Sequence, residues 1–192
     1  ICVPILEKKS KLIYNTDFFC GYSPERINPN DDKHTISKIK KITSGSNAKV
    51  ATIVDNLYKK IIKAGTHKAS SIKVAEAAKV IENAQRDINI AFINELVFIF
   101  NNLNININEV LKAASTKWNF LNFKPGLVGG HCVSVDPYYY IYKSNKIGVN
   151  SNLFSVARNI NNSMPNFIVK KIITIMAQNK MKIKGSKILI LG

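Results

Sequence analysis

A run of thirty residues without proline or glycine constrains the fold more than any other part of the chain. It covers residues 72–101, in which alanine and long aliphatic side chains dominate. These residue types favour helix because they lose little freedom in it. At 1.5 Å per residue such a helix is about 45 Å long. That length is unusual for a small domain, so the run predicts a central helix that packs against a second subunit.

The segment before this helix has the alternating pattern of an α/β structure. Residues 18–22 and 39–43 read as short buried strands. Ser46 is a plausible helix N-cap, and the apolar residues that follow it have helical spacing: Val50, Val54, Leu57, Tyr58 and Ile61. The chain contains no Gly-x-Gly-x-x-Gly motif. The phosphate-binding half of a dinucleotide-binding fold is therefore not expected in it.

The segment after the long helix is predicted to be mostly helical. A short helix is expected over 108–114, a loop over 117–137, one helix over 151–161 and another from Ser163. Residues 187–191 have the pattern of a buried strand that opens a nucleotide-binding βα unit. The predicted fold class is mainly α, with a central helical part between two partial Rossmann-like α/β pieces. The chain is interpreted as a fragment of a longer protein.

Composition limits the classes of function. The 46% apolar share is ordinary for a globular protein, whereas the net charge of +16 raises the possibility of nucleic-acid binding. Arginine, the usual reader of bases and phosphates, is scarce, and the lysines are scattered. A diphosphate-bearing substrate also suits a basic surface. We therefore expect no nucleic-acid partner, although a basic helical binder remains an alternative.

The cysteines and the hydropathy pattern bear on location and metal binding. Cys2, Cys20 and Cys132 form no Cys-x-x-Cys pair, and the histidines lie far apart, so no metal site is expected. Free thiols suit a reducing compartment. No apolar stretch reaches transmembrane length, and no signal pattern opens the chain. The prediction is a cytoplasmic protein without a membrane partner.

A glycine-rich run carries the strongest chemical signal. In residues 125–137, Cys132 follows Gly129-Gly130-His131 and precedes Asp136 by four residues. Glycine allows sharp turns and close approach to a ligand, so a cysteine there can be exposed and act as a nucleophile. The alternative is a small buried hydrophobic residue. Asp136 also fits a simple Asp-Pro turn.

Two further positions are candidates for a site. Lys79 and Asn83 are four residues apart, so they share one face of the predicted helix. A cation and an amide aimed at one point can stabilise an oxyanion and hold a water, although a solvated helix face is the alternative. Glu25 follows a strand and a Ser-Pro turn. There it could be a general base or a surface charge.

Taken in order, these motifs resemble those of the UDP-glucose/GDP-mannose dehydrogenase family. The resemblance is carried by Ser23-Pro24-Glu25-Arg26, by Lys79 and Asn83 within a similar helix, and by Gly129-Gly130-His131-Cys132 with Asp136. The UDP-glucose branch has a lysine where this chain has Val135. That residue and His131 resemble the UDP-N-acetylhexosamine 6-dehydrogenases of bacterial surface-polysaccharide synthesis instead.

The resemblance implies a role for each matched residue. Cys132 would be the nucleophile, Lys79 and Asn83 would stabilise the oxyanion and place a water, and Glu25 and Asp136 would assist proton transfer. The reaction would be the two-step oxidation of C6 of a UDP-N-acetylhexosamine to a uronate, with NAD. Substrate contacts would come from the remaining loop and turn residues: Arg26, Ile27, Phe123, Gly126, Gly129, Gly130 and His131.

The resemblance also implies a domain organisation. Residues 1–66 would be the end of an NAD-binding Rossmann domain, 67–180 the central helical dimerisation domain, and 181–192 the first strand of a UDP-binding domain. The NAD site would lie largely outside this chain. The expected partners are a UDP-sugar and a second copy of the chain, and a complementary chain with an NAD domain is a further candidate. A catalytically silent dimerisation module is the alternative.

Overall fold

The computed structural model describes residues 2–25, 31 and 33–191. In this part of the chain the fold is mainly α, with six helices and a small three-stranded sheet, which confirms the predicted class. The described residues form two compact units, one that runs to Glu82 and one that starts at Asn83. The domain boundaries predicted near residues 66 and 180 remain predictions.

The first unit is a small α/β arrangement. Strand β2 lies in the middle of the sheet, antiparallel to β1 and parallel to β3, and α2 packs against it. The elements of this unit are α1 (Cys2–Ser10), β1 (Gly21–Tyr22), β2 (Lys41–Gly45), α2 (Ala48–Lys59) and β3 (Thr66–Lys68).

A helix cap and a glycine allow α2 to pack closely on the sheet. Asn47 caps α2, since its side chain accepts a hydrogen bond from the Val50 N–H at 2.9 Å. A Cβ on Gly45 would lie 2.2 Å from the Ala51 nitrogen, so only glycine allows this approach. The cap is thus one residue later than the Ser46 predicted from the sequence, a difference within the usual uncertainty of helix ends.

The strands differ from the sequence prediction in extent. The predicted strand 18–22 is reduced to Gly21–Tyr22, preceded by turns and a single bridge between Tyr14 and Phe18. The predicted strand 39–43 lies two residues later, at Lys41–Gly45. Apolar runs identify strand segments, but pairing with a neighbouring strand determines where each strand starts and ends.

Long helices dominate the rest of the chain. Helix α3 (Ile72–Asn102) matches the predicted central helix to within one residue, and the division between the two units falls inside it. The second unit also contains α4 (Ile107–Ala114), α5 (Asp136–Lys146) and α6 (Asn152–Gln178). No helix in the described ranges combines the length and the apolar character that a membrane span requires.

Three predictions for the C-terminal half were wrong. Helix α6 is continuous through Pro165, although two helices were expected. The loop predicted over 117–137 ends two residues earlier, because helix α5 begins at Asp136 with Pro137 in its first turn, where proline is tolerated. Residues 187–191 are exposed and form no strand in the described part of the chain, since a strand requires a hydrogen-bonded neighbour.

The interior of the second unit is unusually polar. Apolar residues such as Ala84, Ala91 and Ile93 are buried on α3, but the same helix also buries Asn83, Asp87 and Asn94 at 0% exposure. Helix α6 contributes a buried arginine and a buried asparagine, Arg158 and Asn161. Buried polar groups are costly unless they are hydrogen-bonded, so this part of the unit is held together by specific polar contacts.

Candidate active site

Cys132 lies in the turn that leads into α5, and its side chain is exposed. Gly130 has a φ of +86°, which permits the turn. The Ser134 hydroxyl donates to the Gly130 carbonyl oxygen at 2.5 Å, and the Asp136 N–H donates to the Cys132 carbonyl oxygen at 2.8 Å. These bonds fix the backbone around the cysteine while its thiol stays open to solvent.

Asp136 and Asn83 form a direct side-chain contact in the second unit. The Asn83 Nδ2 donates to Asp136 Oδ2 at 2.5 Å. Asp136 is the first residue of α5, where the helix dipole favours a carboxylate. Asn83 Oδ1 is buried and has no hydrogen-bond partner in the described part of the chain. The arrangement therefore leaves an acceptor directly beside the carboxylate.

A second cluster lies in the first unit, around the start of β2. Lys41 is only 8% exposed, and its Nζ donates to the Pro24 carbonyl oxygen at 2.5 Å. Burial lowers the pKa of Lys41; Glu25 opposes this effect, and Lys79 adds to it. Glu25 is exposed and lines a small cleft, whereas Lys79 is half-buried. Both predicted residues thus lie within electrostatic range of Lys41.

The predicted substrate residues lie on the loop before α5. Phe123 is half-buried and lines an open depression with α4. Gly126 is half-buried and hydrogen-bonded to Asn94, while Gly129 and His131 are exposed. Arg26 and Ile27 fall outside the described residues.

Sequence reasoning missed the polar residues behind this loop. Asp87 and Asn94 continue the Asn83 face of α3, and they contact Arg158 and Asn161 of α6. Asp87 lies one helical turn after Asn83 on α3, but it was not among the residues predicted for the site. The sequence signal for Asp87 was its helical spacing from Ala84 and Ala91, two small apolar residues that are buried in the structure.

Comparisons with known proteins identify the family. The family model described as "UDP-glucose/GDP-mannose dehydrogenase family, central domain" matches residues 73–163. The chain belongs to the UDP-glucose/GDP-mannose dehydrogenase family. This finding confirms the resemblance seen in the sequence.

Individual relatives are similar to the chain over nearly its whole length. The UDP-N-acetyl-D-glucosamine 6-dehydrogenase of Pseudomonas aeruginosa is 56% identical over 191 residues, which cover 100% of this chain and 45% of the relative. Protein CapL of Staphylococcus aureus is 53% identical, with the same coverage. The chain therefore spans just under half the length of the curated relatives it matches.

Solved structures show the same relationship. A UDP-D-ManNAc dehydrogenase from Pyrococcus horikoshii has a TM-score of 0.83 at 28% identity and covers 94% of this chain and 42% of its own. The UDP-N-acetyl-mannosamine dehydrogenase Cap5O of S. aureus has a TM-score of 0.76 at 30% identity, and the match covers 92% of this chain and 42% of Cap5O. The fold described above is thus that of members of the family.

Proposed function

We propose that this polypeptide takes part in the NAD-dependent oxidation of C6 of a UDP-N-acetylhexosamine to the uronate, for surface-polysaccharide synthesis. The observation that carries the proposal is the placement of three predicted site residues around the start of α5. Cys132 is exposed on a turn whose carbonyl oxygen accepts from the Asp136 backbone N–H, and the Asp136 carboxylate accepts from the Asn83 amide. Similarity to UDP-N-acetyl-D-glucosamine and UDP-N-acetyl-D-mannosamine dehydrogenases also supports it.

Cys132 is the proposed nucleophile. The alcohol is first oxidised to an aldehyde, and the thiolate then adds to the carbonyl carbon to give a hemithioacetal. Loss of a second hydride gives a thioester, and attack by water releases the acid and regenerates the thiol. The sum is one alcohol and one water converted to one carboxylate, with two hydrides and three protons released.

NAD⁺, when bound, accepts these hydrides. The sequence offers no Gly-x-Gly-x-x-Gly phosphate cradle, so the residues of this chain do not make a complete NAD site. We therefore propose that the dinucleotide is held by a complementary polypeptide or a further segment. The contribution of this chain is confined to the sugar end of the reaction.

Asn83 and Asp136 are proposed to place the water that attacks the thioester. The amide hydrogen of Asn83 orients the carboxylate, and its free Oδ1 can accept a hydrogen bond from the water. Lys79, one turn earlier on α3, supplies a positive charge for the developing oxyanion. A preorganised donor of this kind typically accelerates such a step by about 10²–10³-fold.

Glu25 is proposed, from the family resemblance, as a residue that assists proton transfer in hydrolysis. It is the residue after Pro24, whose carbonyl oxygen is fixed by Lys41. Glu25 is exposed, so its carboxylate can exchange protons with solvent, while the hydrogen bond to Pro24 holds the backbone next to it. Arg26 and Ile27, next along the chain, are proposed to contact the sugar nucleotide.

The test uses the native assembly, isolated gently from its source cells with every companion chain identified by mass spectrometry. UDP-N-acetylglucosamine and UDP-N-acetylmannosamine are supplied in turn with NAD⁺, and NADH and uronate are measured. We expect two NADH per uronate from one of them. Detection of a companion with a Gly-x-Gly-x-x-Gly domain would identify the holder of the NAD.

Matched cysteine variants make the test specific. Cys132→Ala should abolish uronate formation, whereas Cys2→Ala, also an exposed cysteine, should leave it unchanged. Full uronate formation by Cys132→Ala would exclude the thioester route. An assembly of this chain alone that forms no NADH from either substrate would instead favour a catalytically silent dimerisation module.

A further inference from the structure

One side chain of α3 binds both backbone polar groups of a loop residue. The Gly126 N–H donates to Asn94 Oδ1 at 2.9 Å, and Asn94 Nδ2 donates to the Gly126 carbonyl oxygen at 3.0 Å. Asn94 has 0% exposure. The pair is a two-point attachment of the loop to the helix, six residues before Cys132.

The orientation of this amide is determined by its partners. A backbone N–H can only donate, so the atom of Asn94 that faces Gly126 N–H must be the oxygen. The nitrogen then faces two acceptors, the Gly126 carbonyl oxygen and Asn161 Oδ1, the latter at 2.8 Å. All three polar groups of the Asn94 amide are therefore used.

The attachment continues into α6 and back to α3. Asn161 Nδ2 donates to the backbone oxygen of Asp87 at 3.0 Å and to its Oδ1 at 2.7 Å. The same carboxylate oxygen pairs with Arg158 Nη1 at 2.5 Å. Asp87, Arg158 and Asn161 are at most 3% exposed. Because the Asp87 carboxylate can only accept, the Asn161 nitrogen must face it. The Asn161 oxygen then faces the Asn94 nitrogen, so the orientations of both amides are determined.

We propose that Asn94 is a positioning residue, with Asn161 and the Asp87–Arg158 pair as its support, that fixes the loop bearing Cys132 through Gly126. The role in catalysis rests on the proposed function, whereas the attachment itself does not. A space-filling role would be met by any side chain of similar size. The hydrogen-bond pattern instead requires a group with one acceptor and two donors at this position.

The substitution that separates these possibilities is Asn94→Asp. Its carboxylate has nearly the same shape, but it offers no donor to the Gly126 carbonyl oxygen or to Asn161. Asn94→Ala removes all three bonds and leaves a cavity. Asn89→Ala is the matched control, because the Asn89 amide donates to the Gln85 carbonyl oxygen within its own helix turn.

Amide hydrogen exchange tests the attachment directly in the wild-type chain. We expect the Gly126 amide to exchange at least tenfold more slowly than that of Gly129, which is exposed. In Asn94→Asp and Asn94→Ala the difference should fall below threefold, while the Ala91 amide in α3 stays protected. Equal exchange at Gly126 and Gly129 in the wild type overturns the proposal, even if a variant fails to fold.

Kinetics of the native assembly test the positioning role. We expect Asn94→Asp to lower kcat by at least tenfold and to change KM by less than threefold, with Asn89→Ala like wild type. Lost protection at Gly126 with an unchanged kcat would make Asn94 merely structural and overturn the proposal. A wild-type assembly that forms no NADH would refute the proposed function, and hydrogen exchange would still decide the attachment.

Discussion

At the scale of single residues, the contact between Asn83 and Asp136 links positions 53 residues apart in sequence. Replacement of the amide by a carboxylate in Asn83→Asp places two like charges at hydrogen-bond distance. We expect a loss of about 2 kcal/mol in the free energy of unfolding at pH 8.

Urea unfolding at pH 8 measures this effect. Asn89→Asp, on the same helix and bonded to Gln85 of that helix, serves as the control and should change the stability by less than about 0.5 kcal/mol. Equal stability of Asn83→Asp and wild type at pH 8 would show that the two side chains are apart in solution.

Helical periodicity predicted that Lys79 and Asn83 share a face, but it could not predict what this face contacts. The partner of Asn83 is Asp136, the first residue of α5, which was predicted to lie near the end of a loop. Asn94 and Asn161 were missed because an asparagine on a helix is usually a surface residue. The roles assigned from the family resemblance remain predictions.

At the scale of elements, Asp55 joins α2 to β2. Its Oδ1 accepts from the Thr43 hydroxyl at 2.7 Å, and its Oδ2 pairs with Lys59 Nζ at 2.7 Å. These partners, Lys59 first, lower the pKa of Asp55 to about 2. Because the folded-state pKa lies below the unfolded value, its contribution to stability is present above about pH 4 and is lost as the pH falls through about 2.

We therefore expect Asp55→Ala to lower the free energy of unfolding by about 2 kcal/mol at pH 7. The difference from wild type should shrink steadily between pH 4 and pH 2. Urea titrations across this range measure it, with Asp17→Ala, an exposed aspartate of the same unit, as control. A difference that stays constant down to pH 2 would assign the effect to packing and not to charge.

The long helix was predictable because thirty residues without a breaker outweigh any local ambiguity. The end of the chain was less predictable. Pro165 removes one N–H from α6, but Asn161 and Met164 beside it are buried, so tertiary contacts keep the helix continuous. The apolar pattern of residues 187–191 favours a strand, but a strand forms only where a neighbouring strand supplies hydrogen bonds to its backbone.

At the scale of the whole molecule, the second unit exposes large apolar side chains along its two long helices. Phe92 and Ile99 lie two turns apart on α3, and Val169 and Ile173 lie one turn apart on α6; all four are at least 44% exposed. Apolar side chains at helical spacing form stripes, and contiguous apolar surface of this kind marks an interaction site. The occupant we propose is a second copy of the chain.

Self-association of this kind gives the last prediction. Sedimentation velocity at micromolar concentration should show a dimer, because association removes these apolar side chains from water. The double variant Phe92→Glu/Ile99→Glu should sediment as a monomer, since a charge cannot be buried unpaired at an apolar interface. Leu189→Glu, at an apolar residue outside the helices that is 81% exposed, should leave the dimer intact. A monomeric wild type would refute the homodimer, and dissociation by Leu189→Glu alone would place its interface elsewhere.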